Sequence, residues 1–266
     1  MIGAFLQKFG QRIATLGYVM ANPDYAEVRR NGGARDLYRL LNRSWLPRQS
    51  VGTVLDVGAN EGQFIKVARR LFPDAGIIAF EPNPELIGSL QSLLSNSSAN
   101  RVLQVACGRE SASMALNVTT FSPASSLLSP TALRIPEFPV IEADTTITVK
   151  VERIDRLVGQ SSSARKPYLL KIDVQGFELE VLHGATGILP NVFAVICEVN
   201  AASFYEGQAD FEEIYAFMHE HNFKLADIGE PIRAMETAEV LYFDAAFLNT
   251  SLRPDPLGSR SPLPSA

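Results

Sequence analysis

Apolar and polar positions along the middle of the chain follow two different periods in turn. The run Val54–Val57 is apolar except for one acid, and after a turn Phe64, Ala68 and Leu71 recur at helical spacing. This pattern predicts a strand, a tight turn and a helix, the first half of a βαβ unit. Two glycines suit the turn, because a residue without Cβ lets the backbone bend sharply and lets a ligand approach it closely.

The alternation of strand and helix continues toward the C-terminus. The predicted strands are residues 54–57, 76–80, 101–108, 168–173, 192–199, 223–228 and 241–248. Strands joined by helices predict a parallel sheet with right-handed crossovers. No helix lies between the last two strands, so we expect the final strand to be antiparallel.

The alternation lapses between residues 111 and 166. Residues 113–120 and 145–151 alternate as half-exposed strands do, and the proline-rich span 121–144 between them predicts a long loop. A loop of this length in a compact domain is more often a binding element than an idle connection. Ser125 and Ser126 are therefore candidate substrate contacts, although serine also populates ordinary loops.

Both ends of the chain differ from its middle. Apolar residues recur at helical spacing within residues 2–16, which predicts an amphipathic helix that covers the site, forms a homodimer contact or lies on a membrane surface. A second helix is expected at about residues 34–45, and Pro and Ser dominate the end of the chain. We therefore divide the chain into an N-terminal helical extension (residues 1–50), a core domain (51–250) and a disordered tail (251–266).

Composition narrows the class of protein. Of 266 residues, 46% are hydrophobic, and the formal net charge of −5 argues against a general nucleic-acid-binding surface. The two cysteines lie in or beside apolar runs, so they predict buried thiols rather than a metal cluster. No run approaches the roughly 18 apolar residues of a membrane span, and residues 1–20 lack a signal-peptide pattern. We expect a cytoplasmic protein without stable membrane insertion.

The turn after the first strand lacks the chemistry of a dinucleotide site. A pyrophosphate-binding turn carries G-x-G-x-x-G, whereas this turn reads Gly58-x-x-x-Gly62 and has the acids Asp56 and Glu61 beside it. Glu81 ends the second strand 81 − 58 = 23 positions later, near the spacing of a carboxylate that binds ribose hydroxyls. A cationic nucleoside such as S-adenosylmethionine fits both features, and an ordinary structural turn is the alternative.

A second pair of charges interrupts the apolar strand at residues 168–173. Lys171 and Asp173 lie at alternate positions on one face, which is costly inside a sheet unless the charges are paired or used. A glycine turn follows, and Glu178 opens the next helix. Because the carboxyl ends of parallel strands meet at one edge, we expect Asp173 to face the same crevice as Glu81.

Four separated motifs occur in order along the chain. They are Asp56-Val57-Gly58-Ala59-Asn60-x-Gly62, Phe80-Glu81-Pro82, Lys171-Ile172-Asp173-Val174-x-Gly176-x-Glu178 and Asp244-x-x-Phe247. Together they resemble the FkbM family of S-adenosylmethionine-dependent methyltransferases, over about residues 51–249. The resemblance implies the class I methyltransferase fold, an α/β Rossmann-like architecture with a seven-stranded mixed sheet of order 3-2-1-4-5-7-6 and strand 7 antiparallel, preceded here by N-terminal helices. It also implies methyl transfer to a hydroxyl of a sugar or natural product, so the expected partner is a small-molecule or glycosylated acceptor.

Carried over by position, the resemblance implies roles for individual residues. The implied cofactor-binding residues are Asp56, Gly58, Asn60, Gly62, Glu81, Pro82, Ala106, Cys107 and Asp173. Among them, Asp56 would favour the methionine ammonium, Glu81 would hold the ribose, and the Ala106-Cys107 backbone would border the adenine. Asp173 is the expected general base or acceptor anchor, with Lys171 or Glu178 tuning it. The candidate substrate residues are Ser125, Ser126, Gln175, which stands where many members carry Glu, and Glu198.

Two questions stay open at the level of the sequence. Asp173 and Glu198 could together hold Mg²⁺ against a sugar diol, so a metal site is an alternative to a metal-free base. The chain could also be an NAD(P)-dependent oxidoreductase, against which the missing glycine speaks, or a nucleoside-binding module without catalysis.

Overall fold

A computed structural model of the chain describes residues 17–119, 124–133 and 143–252. Its strands are β1 (Thr53–Val57), β2 (Gly76–Phe80), β3 (Arg101–Leu103), β4 (Ala106–Cys107), β5 (Ala112–Val118), β6 (Thr145–Glu152), β7 (Tyr168–Ile172), β8 (Val192–Asn200), β9 (Phe223–Ile228), β10 (Ile232–Arg233) and β11 (Val240–Asn249). Its helices include α1 (Pro23–Arg30), α2 (Arg35–Leu41), α3 (Gln63–Leu71), α4 (Pro84–Leu94), α5 (Ile154–Gly159), α6 (Glu178–Gly184) and α7 (Phe211–Glu220). The helix expected at residues 2–16 and nearly all of the expected tail lie outside the described residues.

The main sheet of the described residues has the strand order β10-β11-β8-β7-β1-β2-β3, with β9 also paired to β11. β1 lies between β2 and β7 and is parallel to both. All residues of these three strands are buried, as expected for a parallel sheet that is covered on both faces. β11 runs antiparallel to β8, which confirms the prediction for the last strand.

The predicted seven-stranded sheet is wrong in its strand count, since eight strands are present, and its order differs at one edge. The outer edge of β11 pairs with β10 near Val240 and Tyr242 and with β9 along residues 245–249. Pro231 lies between β9 and β10, and proline has no amide hydrogen to donate to a ladder. The expected strand at residues 223–228 is present as β9, and β10 is an additional short strand on the same edge of β11.

The strand predicted at residues 101–108 is divided between two sheets. β3 pairs with β2 in the main sheet, whereas β4 pairs with β6 in a second sheet of order β4-β6-β5. Val105 N donates to Leu103 O at 3.0 Å in the turn between the two pieces. The half-exposed strands expected at residues 113–120 and 145–151 are present as β5 and β6.

The described part of the N-terminal segment packs onto the core. Tyr25 and Tyr38 belong to the same buried cluster as Phe64 of α3. At the far side, Trp45 Nε1 donates to Asp227 Oδ2 at 3.2 Å, at the end of β9. The segment therefore connects α3 with the end of β9.

The turns that follow β1 and β7 meet through their backbones. Gly58 has φ +76°, and a Cβ built on it would lie 1.9 Å from the carbonyl oxygen of Asp173. Beside this contact, Asp173 N donates to Val57 O at 3.1 Å. Glycine is required at position 58, because both the left-handed backbone and the lack of space exclude a side chain.

We expect Gly58→Ala to lower the free energy of unfolding by more than about 2 kcal/mol, because alanine is strained at this φ and its methyl group forces the two turns apart. Urea unfolding followed by circular dichroism measures the change. Gly88→Ala is the matched control: Gly88 is exposed in α4, and apart from its chain neighbours and the backbone of its own helix no described residue has an atom within 4 Å of the added Cβ. The control should gain about 0.5–1 kcal/mol, and an unchanged Gly58→Ala protein would contradict this account.

Candidate functional site

The carboxyl ends of β1, β2 and β7 open on a cavity of 290 Å³. Its wall includes the turns after these strands, β4, the loop residues 125–127, Ala34 and Leu37 at α2, and residues of α3, α4 and β5. This edge is where ligands bind on open parallel sheets. Residues that are far apart in the sequence therefore share one site.

Glu81 is held rigidly at the end of β2. Its Oε2 accepts from Asn60 N at 2.8 Å and its Oε1 accepts from Asn83 N at 2.9 Å. Burial raises the pKa of Glu81, and the two backbone donors oppose this by favouring the charged form. Each carboxylate oxygen keeps a further lone pair, so the group can also accept from ligand hydroxyls.

Lys171 forms the ionic centre between β1 and β7. Its Nζ lies 3.3 Å from Asp56 Oδ1 and 3.5 Å from Asp173 Oδ2, and it donates to Gly58 O at 3.0 Å. Burial lowers the pKa of Lys171, but the attraction of both carboxylates outweighs this and the net shift is upward. Burial raises the pKa of Asp56 to about 6 against the opposing effect of Lys171. The ammonium is thus balanced by acids of the protein itself.

The Asp173 side chain is the most accessible of the charged groups at the end of β7, with 34% of its surface exposed. Its Oδ1 accepts from Gln175 Nε2 at 2.9 Å, and the same nitrogen donates to Glu198 Oε1 at 3.0 Å. Gln175 Oε1 accepts from Tyr205 OH at 2.9 Å. One side-chain amide therefore links two carboxylates and a phenol.

More carboxyl groups lie behind this linkage. Asp244 is paired directly opposite Glu198 on the neighbouring antiparallel strand. Burial and then the charge of Asp173 raise the pKa of both groups, that of Asp244 to about 7. The region beyond β7 is therefore strongly acidic.

Most of the predicted site residues line the cavity. Those that do so are Gly58, Asn60, Glu81, Pro82, Ala106, Cys107, Ser125, Ser126, Lys171, Asp173 and Gln175. Cys107 is fully buried, which raises the pKa of its thiol and keeps it neutral. The structure thus brings together the first, second and third motifs and the two serines of the loop.

Four predicted residues lie outside the cavity wall, each for a local reason. Asp56 is fully buried and ion-paired with Lys171. Gly62 directly precedes α3, and a Cβ there would lie 2.5 Å from Leu93 Cδ2, so the glycine allows α3 to pack closely against α4. Glu178 closes the turn after β7, and Glu198 reaches the site through the Gln175 amide.

Sequence reasoning missed part of the wall. Ala34 and Leu37 come from a segment with no motif, so no spacing pointed to them. Tyr205, which donates to Gln175 and is not itself part of the wall, was also missed, because a single loop tyrosine carries no pattern. Asn83 could have been found: it follows Glu81-Pro82, and its Oδ1 caps α4 by accepting from Glu85 N at 3.0 Å.

The described residues contain no group of three or more His, Cys, Asp and Glu side chains placed to hold a metal ion. The nearest candidate in the sequence was Asp173 with Glu198. In the structure, the NH₂ group of Gln175 lies between these two carboxylates.

The sheet topology, the glycine turn and the acid that ends β2 are together typical of α/β proteins that bind nucleosides. The chain belongs to the FkbM methyltransferase family: the family model described as Methyltransferase FkbM domain matches residues 56–225, more than half of the chain. This match confirms the resemblance found in the motifs. Among the described residues, no helix has the length and apolar character needed to cross a bilayer.

Curated relatives are similar over part of their length. Methyltransferase 1 of Beauveria bassiana is 29% identical over 160 residues, which are 54% of this chain and 64% of the relative. Hexuronic acid methyltransferase AglP of Haloferax volcanii is 33% identical over 170 residues, 64% of this chain and 63% of the relative. The chain thus spans less than two thirds of these relatives. A solved structure of methyltransferase FkbM from Methylobacillus flagellatus KT aligns with a TM-score of 0.49 and 14% identity, over 87% of this chain and 60% of that one.

Glu178 generates a prediction about pH. Its Oε1 accepts from Val174 N at 3.0 Å and Gly176 N at 3.1 Å, and burial raises its pKa from 4.5 to about 7. Between these two pH values the folded protein holds a proton that the unfolded chain has released. The stability contributed by Glu178 is therefore full below about pH 4.5 and is lost as the pH rises through about 7.

As the pH rises from 5 to 8, we expect the free energy of unfolding to fall less in Glu178→Gln than in the wild type, because glutamine keeps the accepting oxygen and does not ionise. The difference between the two decreases should be on the order of 3 kcal/mol. Urea unfolding at several pH values gives the slope of the unfolding free energy against pH for both proteins. Glu180→Gln is the control, since Glu180 pairs with Arg109 at the surface, and it should keep the wild-type slope. Parallel slopes for Glu178→Gln and wild type would refute the assignment.

Proposed function

We propose that this chain is an S-adenosylmethionine-dependent O-methyltransferase that acts on a hydroxyl of a sugar or natural-product metabolite. The observation that carries the proposal is a family match whose motif carboxylates, Glu81 and Asp173, line the same cavity. Two relatives support the acceptor class by name, the hexuronic acid methyltransferase and a 2-O-methyltransferase, NoeI of Sinorhizobium fredii, which is 23% identical over 168 residues. A small or glycosylated acceptor follows from the same proposal.

The residues of the cavity fit this cofactor. Glu81 offers carboxylate oxygens to two ribose hydroxyls, and Val105, Ala106 and Cys107 offer an apolar edge to adenine. The carboxylates of the wall favour a cation, while the ammonium of Lys171 is already bound by Asp56 and Asp173. When bound, the cofactor supplies a methyl group on a cationic sulfur. A pyrophosphate would meet acids and no free cation among the described wall residues.

Asp173 is the proposed proton acceptor. Its side chain is partly exposed to the cavity, and the hydroxyl of an acceptor placed there would donate its proton to an Asp173 oxygen as the hydroxyl oxygen becomes the nucleophile. Lys171 and Gln175 hold the two oxygens of this carboxylate, so its orientation is set before the acceptor binds. The contribution of the protein is therefore positioning plus one proton transfer.

Ser125 and Ser126 are proposed to border the acceptor, because both line the cavity on the loop side.

A Mg²⁺ ion held by Asp173 and Glu198 and bound to a sugar diol is the alternative to metal-free proton transfer to Asp173. Methyl incorporation from labelled cofactor into a metabolite extract, measured with and without EDTA, distinguishes these two mechanisms. Activity that is lost in EDTA and restored by Mg²⁺ would favour the metal.

We expect Glu81→Ala to weaken binding of S-adenosylhomocysteine by about 1–3 kcal/mol, because the ribose hydroxyls lose their acceptor. Isothermal titration calorimetry measures the change. Glu85→Ala, at an exposed position four residues later, should bind as the wild type does. Glu81→Gln, which retains one accepting oxygen for the backbone amides, should lose less than Glu81→Ala. An unchanged dissociation constant would contradict the assignment of Glu81 to the ribose hydroxyls.

We expect Asp173→Asn to reduce methyl incorporation by about 10²–10⁴-fold, because the amide cannot take the hydroxyl proton. Most of the affinity for S-adenosylhomocysteine should remain. Asp74→Asn, the same substitution at an exposed position before β2, is the control and should keep full activity. If Asp173→Asn transfers methyl groups at the wild-type rate, another group removes the proton.

A further inference from the structure

We infer that Gln175 is a positioning residue, whose side-chain amide fixes Asp173 and Glu198 relative to each other and ties both to the loop wall of the cavity. We call Asp173 and Glu198 the carboxylate pair. The catalytic consequence of this inference rests on the proposed function, whereas the structural linkage can be tested without it. The inference also changes the role expected from the sequence, in which Gln175 was a substrate contact.

The backbone at Gln175 is held in an unusual conformation. Gln175 has φ +59° and Gly176 has φ +96°. The left-handed region is unfavourable for a glutamine, so the surrounding structure must impose it. Glu178 does so, because its Oε1 accepts from the amides on both sides of Gln175, Val174 N and Gly176 N.

The hydrogen-bonding capacity of the amide is used within the protein. The two hydrogens on Gln175 Nε2 go to Asp173 Oδ1 at 2.9 Å and to Glu198 Oε1 at 3.0 Å, while Oε1 accepts from Tyr205 OH at 2.9 Å. Gln175 could donate a hydrogen bond to a bound substrate only if the substrate displaced one of the two carboxylates. The arrangement therefore suits the orientation of acids rather than direct recognition of substrate.

The same residue fixes the loop that carries the candidate substrate serines. Ser126 Oγ donates to the backbone oxygen of Gln175 at 2.6 Å. Tyr205 OH, which bonds Gln175, also lies 3.1 Å from Ala124 O. The distance between the loop wall and Asp173 is thus set through one residue.

Charge explains why the carboxylate pair needs such a donor. The titratable groups that interact with the pair are Lys171 on β7, Asp56 on β1, Glu178 on α6, Cys197 on β8, Tyr205 in the loop after β8, and Tyr242 and Asp244 on β11. All but Lys171 are acids, and close acids disfavour each other's charged forms. Each carboxylate of the pair accepts one hydrogen bond from Gln175, and a hydrogen bond to the charged form of an acid favours that form.

The test compares Gln175→Met, which has similar length and no donor, with the wild type. The acid limb of the pH profile of methyl transfer should move to higher pH, because Glu198 loses the hydrogen bond that favours its charged form. Carbon-13 NMR should show the Glu198 carboxyl titrating at higher pH in the variant. Binding of S-adenosylhomocysteine should change less than the rate.

Gln208→Leu is the matched control. Gln208 lies in the same region, where Nε2 donates to Ala202 O at 2.9 Å and Oε1 accepts from Tyr205 N at 2.9 Å. It makes no hydrogen bond to the carboxylate pair, so the variant should lose stability without moving the acid limb. An equal shift in Gln208→Leu would overturn the inference, since the effect would then be general loosening of the loop.

Tyr205→Phe provides a second variant in case Gln175→Met does not fold. It leaves the donors of Gln175 in place but frees the amide to rotate, so a smaller shift in the same direction is expected. If no acceptor is methylated even by the wild type, the proposed function fails, and the Glu198 titration still decides the positioning role. Unchanged Glu198 titration in the variants would overturn it.

Discussion

The ammonium of Lys171 holds together three parts of the site that come from different places in the chain. It contacts Asp56 on β1, the carbonyl of Gly58 in the following turn and Asp173 after β7. The cost of removing a buried ion pair from water largely offsets its attraction, so the pair is weak evidence for stability. Loss of either partner, however, would leave a buried charge without compensation. The interaction therefore fixes one geometry of β1, β7 and their turns.

That geometry gives the two ends of the cavity different chemistry. At the end of β2, the Glu81 carboxylate is held by two backbone amides and lies beside apolar residues of β4. At the end of β7, Asp173 shares a side-chain amide with Glu198. A group fixed by backbone donors suits ligand binding, whereas a partly exposed acid in a cluster of acids suits proton transfer.

The motifs were sufficient to predict the family and most residues of the cavity wall. Residues that are close in sequence, within a strand and the turn after it, have few alternative positions relative to one another. The motifs did not reveal the ion pair of Asp56 with Lys171, which depends on the pairing of β1 with β7. They also missed β10, which shares its partner strand β11 with β9. Both features depend on contacts between residues that are far apart in sequence, on which local periodicity carries no information.

The sequence by itself determined the alternation of strands and helices, the places of the glycine turns and the acids at the strand ends, since each follows from local backbone and hydrophobic constraints. Only the tertiary structure decided which acids face the cavity and which are consumed by a partner. The physical reason is that a buried carboxylate is defined by its neighbours: Lys171 neutralises Asp56, backbone amides bind Glu178, and the Gln175 amide joins Asp173 to Glu198. Those neighbours are brought together only by strand pairing and loop packing.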